Sequence, residues 1–185
     1  MNIPSLIYFL LLSSLFLNQD DKNITNPIKY FLVRYSDTTN MSEFQERHLL
    51  KIVSDFNNDG SKDIMLTDPF TGGAHNLEWE IFLQTHDGTY SSVGIITFGS
   101  AESVKPISRG VSFFMCGEHY SGEESFTSIY SISFNGIKKI KEISSKDSSM
   151  QNYINSFPAT ILVDSCCTVH ELLKNINSHW SVGCN

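Results

Sequence analysis

The chain carries no Gly-x-Ser-x-Gly elbow, no glycine-rich phosphate loop and no dinucleotide fingerprint. Motif support for acyl, phosphoryl and hydride transfer is therefore missing. Basic residues are scarce, with 13 Lys and Arg against 20 Asp and Glu, a net charge of −7. That balance disfavours nucleic acid and anionic membrane, which both recruit lysine and arginine; it suits cations or a basic protein partner. Long apolar runs are also lacking: residues 6–17 stop short of the roughly 20 a membrane span needs. The six histidines, His48, His75, His86, His119, His170 and His179, are scattered without metal-ligand spacing. His170-Glu171 lacks the second histidine of the zinc-protease motif. With 41% apolar and 18% charged residues, the chain is globular rather than disordered.

What is present is concentrated in one stretch, Asp55-Phe56-Asn57-Asn58-Asp59-Gly60-Ser61-Lys62-Asp63. Oxygen-bearing side chains stand at loop positions 1, 3, 5 and 9, which are Asp55, Asn57, Asp59 and Asp63. Ser61 at position 7 offers its backbone carbonyl, and Gly60 at position 6 permits a sharp turn. This is the ligand spacing of a hard, oxygen-seeking cation, so Ca2+ is the expected cofactor. Position 12, where a helix-loop-helix hand places a bidentate glutamate, is Leu66 within the apolar run Ile64-Met65-Leu66, and a leucine cannot ligate. The site would have to close from Asp63.

The residues from Asp55 to Leu66 resemble the calcium loops of FG-GAP/VCBS-type proteins, whose pattern is Asp-Phe-Asn-Gly-Asp-Gly-x-x-Asp-hydrophobic. Asn58 replaces the usual glycine, and asparagine tolerates the left-handed conformation nearly as well. The resemblance implies a calcium-stabilised hairpin and no activity. No second copy of the loop occurs, and the chain is too short for a propeller at roughly forty residues per blade.

Residues 1–19 read as a cleaved export signal with the apolar core 6–17. Residues 20–27 read as a disordered lead-in and 28–185 as one globular domain. A periplasmic or secreted location follows, without stable membrane insertion after cleavage. Export permits disulfides. The four cysteines allow three pairings that the sequence does not choose among. Cys184 with Cys166 or Cys167, and Cys116 with the other, is the preferred one, and buried free thiols are the alternative.

Local patterning predicts an α+β fold: a mostly antiparallel sheet of hairpins with a helix near each end. Aromatic and β-branched residues 28–35 read as a first strand. Ser42 and Gln45 form a capping box opening a helix over 42–53, with a strand at 49–53 as the competing reading. Strands are expected at 63–67 and 111–115. Hairpins are expected at 77–98 around Asp87-Gly88 and at 126–143 around Asn135-Gly136. Ile137, Lys139, Lys141 and Ile143 would share one face of an edge strand. Residues 167–180 read as a terminal helix.

Four further groups offer candidate chemistry. Glu78 and Glu80 share a strand face opposite Trp79 and would serve a calcium-dependent hydrolase acting on glycan or cell-wall material, or else form a solvated face. Trp79 or Trp180 would serve a carbohydrate-binding module. The acidic segment 118–124 would offer a contact surface to a basic partner. Cys116 and His119 lie three apart, which does not make a catalytic pair. The leading expectation is a non-enzymatic, exported calcium-binding interaction protein of the kind seen among small exported bacterial proteins with one such loop. An inhibitor or immunity protein is its specific form.

Overall fold

The computed structural model describes residues 22–35, 48–69, 76–121, 124–157 and 164–168. Its elements are α1 (Pro27–Tyr35), β1 (His48–Ser54), β2 (Asp63–Thr67), β3 (Leu77–Gln84), β4 (Tyr90–Phe98), β5 (Ser100–Ser108), β6 (Val111–Ser121), β7 (Glu124–Ser133), β8 (Gly136–Ser144), α2 (Met150–Asn155) and β9 (Asp164–Thr168). Two antiparallel sheets result. Sheet A runs β4-β3-β2-β1-β9 and sheet B runs β5-β6-β7-β8.

Strand alternation divides the apolar residues among three layers. On β2, Ile64 and Leu66 face outward beneath α1, packing with Ile28, Phe31, Phe82 and Tyr90. Met65, between them, faces inward with Trp79, Ile81, Phe98, Phe114 and Ile132, so the two sheets close on a shared core. A third cluster, Met115, Ile129 and Ile143, lies on the outer face of sheet B under residues 150–157. The chain changes sheets at Gly99, whose amide donates to the Gly117 carbonyl at 2.8 Å.

The mostly antiparallel β architecture agrees with the patterning, and both hairpins form where their Asp-Gly and Asn-Gly turns stand. Several expectations are corrected. Residues 28–35 are helix rather than strand. Pro27 opens the helix, the Asn26 side chain caps it by accepting the Lys29 amide at 2.9 Å, and Ile28, Phe31 and Leu32 bury one face. The helix expected over 42–53 is excluded at its second half, where β1 pairs with β2 and β9 as the competing reading proposed. Strand β5 was not anticipated. The helix expected over 167–180 begins inside β9, and its remainder lies outside the described residues.

On β8 a bulge opposite Ile129 and Tyr130 changes the alternation. Ile137 packs into the inter-sheet core while Ile143 packs outside, so the four residues expected on one face divide between two. β8 is an edge strand, as its lysines suggested.

Candidate metal centre

The loop from Asp55 to Lys62 joins β1 to β2, and its backbone follows the course that its composition sets. Asn58 and Gly60 adopt φ of 59° and 94°, left-handed positions that asparagine and glycine enter most readily. The curled backbone turns its amides inward onto the acidic side chains. Asp55 accepts the Asp59 amide at 3.1 Å and the Gly60 amide at 3.0 Å. Asp59 accepts the Ser61 amide at 2.7 Å. Asn57, fully buried, accepts the Asp59 amide at 3.2 Å and donates to the Asp59 carboxylate at 2.9 Å.

Asp63 closes the loop from the first residue of β2. Its Oδ2 accepts the Phe56 amide at 2.8 Å and its Oδ1 accepts the Gln84 amide at 2.9 Å. One buried carboxylate thus ties the start of the loop to the end of β3. Phe56, fully buried, enters the inter-sheet core. Its ring meets Phe114 of β6 edge-on, with centroids 6.1 Å apart. On the far side of the loop, the Gly110 amide reaches the Asn58 carbonyl at 3.4 Å, so the β5–β6 turn also touches it. The loop is a joint between the sheets.

Burial dominates its electrostatics. Burial pushes the Asp63 carboxyl up to about 7; the Gln84 and Phe56 amides work against this, while Asp59 and Asp55 add to it. Burial also raises Asp59, but bonds from Asn57 and Ser61, with the Arg109 charge nearby, hold it below its ordinary range.

The donor set fits a hard cation chemically: three carboxylates, one amide oxygen and the Ser61 carbonyl, all from a nine-residue span. Each carboxylate oxygen has about two acceptor sites and gives one to an amide here, so capacity for an ion remains. As placed, no three His, Cys, Asp or Glu side chains among the described residues stand close enough together to hold a metal ion. Loading would therefore require the carboxylates of Asp55, Asp59 and Asp63 to draw together. The backbone course is formed and the side chains are committed to their own amides.

The other candidates fare differently. Glu78 is exposed, whereas Glu80 is buried. Glu80 accepts from Ser92 and from Arg34 of α1, the latter at 3.2 Å. The pair is neither a solvated face nor two carboxylates facing one cleft. Trp79 is buried and stacked on Phe98 at 5.2 Å, which removes it as an exposed sugar platform. Trp180 lies outside the described residues.

In the acidic segment, Glu118 is buried and accepts from the Tyr130 hydroxyl at 2.9 Å, with Lys139 at 3.3 Å. It is thus withdrawn from any contact surface. The side chains of His119 and of residues 120–124 lie outside the described set. Cys116 is a buried thiol with its sulfur 3.8 Å from the Ser128 carbonyl oxygen. The side chains of Cys166 and Cys167, and all of Cys184, lie outside the description. Sequence reasoning missed Arg34 and Ser92 as partners of Glu80, because the helix that carries Arg34 was read as a strand. Among the described residues no helix is long and apolar enough to cross a membrane. Compared with family models, with curated proteins and with solved structures, the chain gives no match.

Proposed function

We propose that this is an exported, non-enzymatic interaction protein whose loop, with Asp55, Asn57, Asp59, Ser61 and Asp63 as ligands, takes one structural Ca2+. The observation that carries the reading is the joint itself. Asp55, Asp59 and Asp63 each accept amides of one preformed left-handed turn, and that turn is fastened to both sheets through Asp63, Phe56 and the Gly110 amide. A cation here would offset the mutual repulsion of Asp55, Asp59 and Asp63 and hold the two sheets in register. Sites of this kind outside cells work at roughly 0.1–1 mM dissociation constants, because calcium is abundant there.

The absence of reaction motifs and the separate fates of Glu78 and Glu80 favour binding over catalysis. An acidic chain of this size suits a basic protein partner, and an inhibitor or immunity role is the specific form of the proposal. In this reading the signal over 1–19 is cleaved and the protein is periplasmic or secreted.

Calorimetric titration of the mature chain with CaCl2 after EDTA treatment tests the metal assignment. One saturable site, absent in Asp59→Ala, is expected. Heat changes identical in the two proteins would remove the assignment.

A further inference from the structure

After β8 the chain crosses the outer face of sheet B, and this crossing has the form of a docked helix. Met150, Tyr153, Ile154 and Phe157 pack on the cluster of Met115, Ile129 and Ile143, with Phe113 beside it. Met150, Tyr153 and Ile154 stand at i, i+3 and i+4 of α2 and Phe157 follows just past its end, a spacing that matches the anchors of an amphipathic helix laid in a groove. These four are half-buried, while Gln151, Asn152, Asn155 and Ser156 between them are exposed.

At one sheet edge, Lys141 of β8 lies 3.7 Å from the centroid of the Tyr153 ring and bonds its hydroxyl. At the opposite edge, Lys105 of β5 lies 5.5 Å from the centroid of the Phe157 ring. Little in the helix itself sustains it. α2 spans six residues, Ser149 makes no side-chain cap bond, the first turn has no acid and the last no base, and none of its residues is buried. Asp147 accepts the Ser149 amide at 2.8 Å and the Ser156 amide donates to the Tyr153 and Ile154 carbonyls, yet a six-residue helix is too short to stand by propensity and depends on its seat.

We infer that the outer face of sheet B is a helix-docking surface, covered in the isolated protein by its own strap, residues 147–157. Within the basic partner proposed above, the segment that fits is an amphipathic helix with apolar anchors at i, i+3, i+4 and i+7 and carboxylates confined to its flanks. The anchors would replace those of the strap, and the carboxylates would exchange the rings over Lys105 and Lys141 for full charges. The strap opens locally and the partner takes the vacated strip, so the strap weakens binding by the fraction of time it is closed. This inference gives a surface to the interaction role and rests on that reading. The calcium titration leaves this face untouched, so the two can fail separately.

The test uses the full mature chain. In native-state hydrogen exchange, the strap amides of Met150, Tyr153 and Phe157, which donate to Asp147, Ser149 and Ile154, should exchange about a hundredfold faster than the β6–β7 ladder. A fluorescein-labelled synthetic helix with leucines at the four anchor positions and glutamates at both flanks is then titrated into wild type and into Tyr153→Ser/Phe157→Ser. The unseated variant should bind it about tenfold tighter or more, and Lys105→Glu/Lys141→Glu added to that variant should abolish the gain. Phe157→Ser alone substitutes if the double variant loses β6–β7 protection. Strap amides as protected as the β6–β7 ladder would overturn the inference. So would an unseated variant, intact in β6–β7, that binds no tighter than wild type.

Discussion

The carboxylate of Asp63 accepts the backbone amide of Phe56 at 2.8 Å, and this bond sets where the Phe56 ring enters the core. Without it the loop would still turn, because Asn58 and Gly60 hold the left-handed conformation. The turn would no longer be fastened to β2 and β3. Asp63→Asn presents an N–H to one of the two buried amides and leaves that amide unsatisfied. A stability loss of about 1–3 kcal/mol is expected by urea unfolding. Wild-type stability in this variant would show that the fastening contributes nothing.

The pH dependence follows from the same group. The Asp63 carboxyl is held near 7 against an ordinary 3.8. Between those values the native state binds more protons than the unfolded chain, so the Asp63 contribution to stability falls as pH rises from about 4 to 7. In EDTA, the difference in melting temperature between wild type and Asp63→Asn should shrink across that window. A difference that stays constant or grows would contradict the assignment.

Phe56 carries the mechanical side of the joint. Its ring is fully buried against Phe114, and Phe56→Ala should lose about 3–5 kcal/mol through lost burial and the cavity left behind. The loss should be equal in calcium and in EDTA if the cation acts through the carboxylates alone. A loss below about 1 kcal/mol would mean that the core closes without the loop.

Arg34 holds α1 to sheet A through Glu80. Arg34→Ala removes a charged donor from a buried carboxylate, and about 1–3 kcal/mol should be lost. Hydrogen exchange should speed in α1 before the inter-sheet core. Uniform acceleration across both sheets would show that α1 is no separate layer.

The legible parts of this fold are those where chemistry is local. Asn58 and Gly60 set the loop's dihedrals by their own ease in the left-handed region, and Asp87-Gly88 and Asn135-Gly136 set their hairpins. Residues 28–35 were illegible because tertiary contact decided between two periods. Ile28, Phe31 and Leu32 satisfy a helix face as well as a strand composition, and the signal that settles it, Asn26 before Pro27, is a cap that was overlooked. β1 was misread for the converse reason, since Leu49 and Ile52 suit a helical stripe until strands pair on both sides. β5 carries Lys105 and Pro106, which give no strand signal and are accommodated because the strand lies at a sheet edge. The burial of Glu80 and Glu118 had no sequence signal, because their partners come from distant elements.

Thermal unfolding of the mature chain in EDTA and in 1 mM Ca2+, beside Asp59→Ala, tests the central claim most directly. A site with a dissociation constant of roughly 0.1–1 mM would add about 0.4–1.4 kcal/mol at that concentration, a rise of about 1–5 °C in a chain of this length. The account predicts that rise in wild type and its loss in Asp59→Ala. Identical melting of wild type with and without calcium would mean that the loop is an ordinary turn that fastens two sheets through its own amides.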